Sequence, residues 1–111
     1  RYSPEGPAMG YSALAASYAR LVNNEKAGEL FAKCYKPNEV PPFGVLAETA
    51  GGTNPYFATG AGGFLQAVIN GFGGLTLSDA GITQIKTKLP KGWKSLEIKG
   101  VGATKVSFSV K

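Results

Sequence analysis

"GFLQAVINGFGGLTLSDAGITQ", residues 63–84, changes its periodicity halfway along. Before Gly73 the apolar side chains Phe64, Leu65, Val68, Ile69 and Phe72 fall at helical spacing. After Gly74 the pattern alternates through Leu75 and Leu77. Ser78-Asp79-Ala80-Gly81 then supplies turn residues before Ile82 and Ile85. The stretch predicts a helix from about Ala61 to Phe72 and strands beyond it. Its small residues Ala61, Gly62, Gly63 and Ala67 leave room for a close neighbour.

Working toward the N-terminus, Tyr11, Leu14, Ala15, Tyr18 and Val22 make one helical stripe. Ser3-Pro4 or Gly6-Pro7 would start that helix, because proline suits a first turn. Asn23 and Asn24 end it and cap a second helix, whose stripe is Ala27, Leu30, Phe31 and Cys34, stopped by Lys36-Pro37. Residues 36–60 carry four of the seven prolines and neither period. A loop this long in a compact domain is usually functional or disordered, and its aromatics Phe43, Tyr56 and Phe57 argue for order. Toward the C-terminus Pro90-Lys91-Gly92 breaks the chain. Leu96 and Ile98 then alternate, as do Val106, Phe108 and Val110. Helices first and strands second give an α+β class with one small antiparallel sheet. The apolar helix faces exceed what so small a sheet can cover, so they are expected to meet a larger helical assembly.

The 111 residues make one domain's worth of chain. There is no histidine, which removes Ser-His triads, imidazole acid–base chemistry and His-metal sites. A single cysteine, Cys34, excludes an internal disulfide and a Cys-based zinc site. Carboxylates are then the candidates for proton transfer, and neither metal nor cofactor is expected. The net charge of +5 lies entirely in residues 79–111, where seven lysines face Asp79 and Glu97. Without arginine and with few aromatics there, solvated strand faces fit better than a nucleic-acid surface. No run approaches the roughly 18 apolar residues of a membrane span. Arg1 opens the chain and Met9 is its only methionine, so a piece of a longer polypeptide is expected and the compartment is not legible.

Two features carry chemistry. Glu48 is a lone acid after apolar Val45, Leu46 and Ala47. It is either a solvated or capping loop carboxylate, or a base at a pocket rim that takes a proton from water. Thr59-Gly60-Ala61-Gly62-Gly63 precedes the third helix. It either caps and packs that helix or offers N–H groups to polar ligand oxygens. The segment is neither a Walker motif nor GxGxxG.

At these residues "PFGVLAETAGGTNPYFATGAGGFLQAVINGFGGL" (42–75) resembles the end of the catalytic domain of glycoside hydrolase family 65, with its PFxVWxE and NFLTGAGGFLQAVLFGYGGL segments. "PEGPAMGYSALAA" (4–16) is similar to that family's DGPAMTxS helix start, and "LPKGWKSLEIKGV" (89–101) to its LPPxWxSLxxxGV. The resemblance implies the last helices and active-site loop of an (α/α)6 barrel over 1–74, and a C-terminal β-strand domain over 75–111. It implies an inverting α-glucoside hydrolase with Glu48 as general base, and with Thr59, Gly60, Gly62 and Gly63 in the sugar site. The general acid belongs to an earlier part of such a barrel, and none of Glu5, Glu25, Glu29 or Glu39 matches its context. The implied partners are a carbohydrate substrate, the preceding part of the barrel and, through apolar helix faces, other copies. A family 65 phosphorylase instead holds phosphate on a glycine- and serine-rich segment. Phe57–Gly63 has neither serine nor histidine, which favours the hydrolase. Leu46 stands where the family has Trp, and Glu5 where it has Asp. A non-catalytic sugar-binding or interaction module is the alternative from another class.

Overall fold

The computed structural model describes residues 7–52 and 54–111. Helix starts assigned to Ser3-Pro4 or to Gly6, and the comparison at Glu5, fall outside that range. Helix α1 (Ala8–Arg20) follows Pro7, which occupies its N-cap with extended backbone and no side-chain cap. Helix α2 (Asn24–Tyr35) is capped as expected, Asn23 accepting from the Lys26 N–H at 3.2 Å. A 3-10 turn (Lys36–Asn38) leads into β1 (Glu39–Val40) and β2 (Val45–Leu46). Helix α3 (Ala58–Gln66) passes without a break into a π-helical turn, Ala67–Phe72. Strands β3 (Leu75–Ser78), β4 (Gly81–Gln84), β5 (Leu96–Val101) and β6 (Val106–Val110) complete the chain.

The class is α+β, but three separate two-stranded antiparallel ladders replace the single sheet expected: β1–β2, β3–β4 and β5–β6. The Ser78–Gly81 turn closes β3 on β4 as its residues require, with Leu77 opposite Ile82. No ladder pairs the β3–β4 hairpin with β5–β6. A side chain links them instead: Gln84 Nε2 donates to the carbonyls of Gly73, at 3.0 Å, and Ser109, at 3.2 Å. Two boundaries also differ. Helix α3 begins three residues before Ala61, because glycine weakens the apolar signal of a first turn without preventing helix. Val22 leaves the α1 stripe for the interhelical turn, at φ 60°.

The face of α1 that is fully buried is small: Ala8, Ser12, Ala15 and Ala19. Tyr11, Leu14 and Tyr18 pack beside it, half-buried. All four residues of the α2 stripe are buried. Of the α3 stripe, Phe72 is fully covered, whereas Leu65 and Ile69 stay exposed. The third helix lies against α1 through its glycines. A Cβ on Gly63 would stand 2.3 Å from Ser12 Oγ, and one on Gly71 would stand 2.9 Å from the Ala16 backbone. The core is completed by aromatic rings. Phe31 stacks on Phe64 at 4.9 Å and meets Phe72 and Trp93 edge-on at 5.4 and 5.6 Å. Arg20 joins helices to strands, donating to the Asn70 carbonyl at 2.9 Å and to Thr76 Oγ1 at 2.7 Å.

Candidate active site

Glu48 is half-buried and lies on the segment between β2 and α3. That segment is tied down at four places. The buried Asn38 donates through Nδ2 to the carbonyls of Ala47 and Glu48, both at 3.1 Å. The Ala47 N–H returns a bond to the Asn38 carbonyl at 2.8 Å. The Ala8 N–H, opening α1, donates to the Glu48 carbonyl at 3.2 Å. The Phe57 N–H, just before α3, donates to the Leu46 carbonyl at 2.9 Å. The loop is therefore ordered by backbone pairing rather than by a hydrophobic core of its own, and this is where its lack of periodicity comes from.

The carboxylate has a polar partner in Asn54. Asn54 Nδ2 donates to Glu48 Oε2 at 2.9 Å, while the Glu48 N–H donates to the Asn54 carbonyl at 3.2 Å. A reciprocal pair of this kind fixes both the backbone and the orientation of the acid. Asn54 reaches it with φ 53°, a left-handed conformation that asparagine tolerates better than most residues. Asn38 and Asn54 were not visible as site residues in the sequence. The Asn54-Pro55 dipeptide signals a turn, but nothing local says that either amide reaches Glu48.

The glycine-rich residues are inside α3 rather than ahead of it. Phe57 occupies the N-cap, so Thr59 and Gly60 belong to the first turn. Thr59 is exposed, and a Cβ added to Gly62 would meet open space. Gly60 is buried against the Phe57 ring and Ala8 Cβ, and the half-buried Gly63 lies against Ser12. Gly60 and Glu48 thus converge on the same residue, Ala8, one through side-chain space and the other through a hydrogen bond. Gly63 faces α1, and its space is taken up by helix packing.

Two clefts flank β2. One, of about 430 Å³, is mainly apolar and lies among Phe31, Tyr35, Leu46, Phe64 and Trp93, with Glu39 on its wall. The other, of about 380 Å³, lies among Leu46, Tyr56, Phe57, Ala58 and Ala61. Leu46 belongs to both.

Elsewhere the electrostatics are those of a solvated surface. Glu29 is held down to about 2 by hydrogen bonds from Lys33, at 2.8 Å, and Lys26, at 2.9 Å. Burial pushes the Cys34 thiol up to about 11, so it is a small apolar core residue rather than a nucleophile. The seven lysines of residues 79–111 are all exposed. Among the described residues no group of three or more His, Cys, Asp or Glu could hold a metal ion, and no helix is long and apolar enough to cross a membrane.

No protein-family model matches the chain. Individual proteins do. A kojibiose hydrolase of Mucilaginibacter mallensis is 53% identical over 105 residues, which is 95% of this chain and 16% of that protein. A kojibiose hydrolase of Flavobacterium johnsoniae is 52% identical over 92% of the chain and 15% of its own length. A protein-glucosylgalactosylhydroxylysine glucosidase of Danio rerio is 39% identical over 88% of the chain, again 15% of that protein. The chain is therefore similar, along nearly all of its length, to about one sixth of proteins named as hydrolases of glucosides.

Proposed function

We propose that this chain forms part of a family 65-like inverting α-glycoside hydrolase, in which Glu48 is the general base. The observation that carries the reading is the carboxylate of the half-buried Glu48, held by an exposed hydrogen bond from Asn54 on a backbone-paired loop, in a chain 53% identical to a segment of a kojibiose hydrolase. Inversion needs two carboxyl groups roughly 6.5–9.5 Å apart, one protonating the leaving oxygen and one deprotonating water on the opposite face of the sugar. Asn54 donating to Oε2 orients the carboxylate and leaves Oε1 to meet a water. The acid comes from elsewhere in the enzyme, so the chain by itself turns over no glucoside. The exposed Leu65 and Ile69 of the third helix are assigned to contact with the rest of the barrel.

The test is Glu48→Gln in the full-length enzyme with kojibiose as substrate. Gln keeps the size and the planar end group but takes no proton from water. We expect kcat to fall by about 10²–10⁴-fold, the worth of a positioned base, with KM little changed. Azide, which needs no deprotonation, restores part of the turnover and yields the inverted glycosyl azide. Near-normal hydrolysis by the Gln variant overturns the assignment. Turnover that depends on added phosphate and releases a sugar phosphate identifies a phosphorylase instead.

A further inference from the structure

Tyr56 is unusual on two counts. Its backbone sits at φ 62°, a left-handed conformation that costs a bulky residue free energy and makes it an outlier. Its side chain is 77% exposed, so the ring returns little of that cost through burial. The flanking backbone nevertheless enforces the conformation. Asn54 is bound to Glu48 on one side, and the Phe57 N–H is bound to Leu46 on the other. The ring stands on the wall of the 380 Å³ cleft beside β2. Its Cα lies two residues, so at most about 7 Å, from that of the asparagine that clamps the carboxylate.

We infer that Tyr56 is a substrate-binding residue whose ring stacks on the apolar face of a glucosyl unit. The inference rests on the reading of the protein as a glucoside hydrolase. A pyranose presents a flat C–H face with hydroxyls at its edge. Tyrosine matches it with a rigid, amphipathic ring that loses little entropy on contact. Binding of this kind acts on the ground state and the transition state alike, so it appears in KM rather than in kcat.

The experiment uses the full-length enzyme, kojibiose, and two variants. Tyr56→Asn removes the ring while keeping a residue that tolerates the left-handed backbone. Tyr56→Phe keeps the ring and removes the hydroxyl. We expect Asn to raise KM by about tenfold, with kcat held within about twofold. Its Tm should be unchanged or higher, since the strained residue is gone. Phe should stay within about twofold of the parent in KM. A KM for Asn within that same range overturns the inference. So does a Phe variant that behaves like Asn, or a Tm that falls together with activity. Glu48→Gln assayed alongside separates the two readings. Normal turnover there removes the base assignment, while the KM response at position 56 still decides the role of Tyr56.

Discussion

Asn38 holds the candidate base in place although it never touches the carboxylate. It is 3% exposed, and its amide supplies donors to two consecutive carbonyls of the loop. Removing one partner of a buried hydrogen bond leaves the other to carry its desolvation cost. Asn38→Ala should therefore lower stability by about 1–3 kcal/mol, measured by denaturant titration of the full-length protein. It should also depress kcat through loop displacement, whereas Asn38→Asp, which cannot donate to the carbonyls, should be no better. Full retention of stability in the Ala variant would show that the loop is held by its other bonds. Cys34 gives a second expectation at this scale. With the thiol raised to about 11 by burial, its thiolate at pH 8 is about 100-fold scarcer than at the ordinary thiol value near 9. Alkylation of the native protein should be slower than that of the unfolded chain by at least this factor. The linkage follows with its sign. Folding favours the protonated thiol, so this contribution to stability is complete below about 9 and is lost as pH rises toward 11. Glu48 could be picked from the sequence as a lone acid in apolar company. Its supports could not, because Asn54 and Asn38 lie six and ten residues away and their roles exist only after the backbone has paired.

Between elements, the contact of α1 with α3 and its π-helical extension accounts for three of the sixteen glycines. Gly60, Gly63 and Gly71 let the third helix lie against Ala8, Ser12, Ala16 and Ala19 at backbone distance. Gly62 faces open space on the other side. Two alanine substitutions one residue apart should then act in opposite directions. Gly62→Ala should stabilise by about 0.5–1 kcal/mol through helix propensity. Gly63→Ala must push Ser12 Oγ aside and should cost about 1–3 kcal/mol by overpacking. Adding Ser12→Ala should recover part of that loss, since the oxygen is the nearest obstacle. Thermal melts of the three variants check the order, and equal effects at positions 62 and 63 would contradict this packing. The sequence was informative about these elements where one face repeats. The α2 stripe and the β3–β4 turn are where the pattern puts them. It was less so at the start of α3, where Ala58, Thr59 and Gly60 offer no apolar period. The separation of the hairpins depends on a long-range choice that alternation along one strand does not encode.

For the whole molecule, the radius of gyration is 14.4 Å, against about 13 Å for a compact domain of this length. The extra length reflects a helical layer and a set of hairpins joined through a narrow seam. Trp93 is the centre of that seam. It follows Pro90, which packs on Gly28 of α2, and its ring meets Phe31 at 5.6 Å and Phe72 at 5.3 Å. Asn24 Nδ2 adds a bond to the Leu89 carbonyl at 3.0 Å, and Thr87 Oγ1 donates to the Phe72 carbonyl. Beyond the seam, Leu96 and Val110 touch the edge of the core, Ile98 packs over Gly73, and Ser109 accepts from Gln84, so β5–β6 joins the rest through a few side chains besides its own ladder. A two-stranded ladder has little independent stability, so its order depends on what anchors it. Truncating Trp93 to Ala removes the ring that both Phe31 and Phe72 lean on. A fully buried tryptophan costs about 3–5 kcal/mol to truncate, and the 37% exposure of Trp93 places it at the lower end. The loss should also be uneven. Amide hydrogen exchange in the full-length protein should speed up most in β5 and β6, less in β3 and β4, and least in α1 and α2, which keep their own contact. Trp93→Phe retains an aromatic edge for both partners and should preserve most of the protection. If Trp93→Ala accelerates exchange equally in helices and hairpins, the molecule is a single cooperative unit and the seam is not its weakest joint.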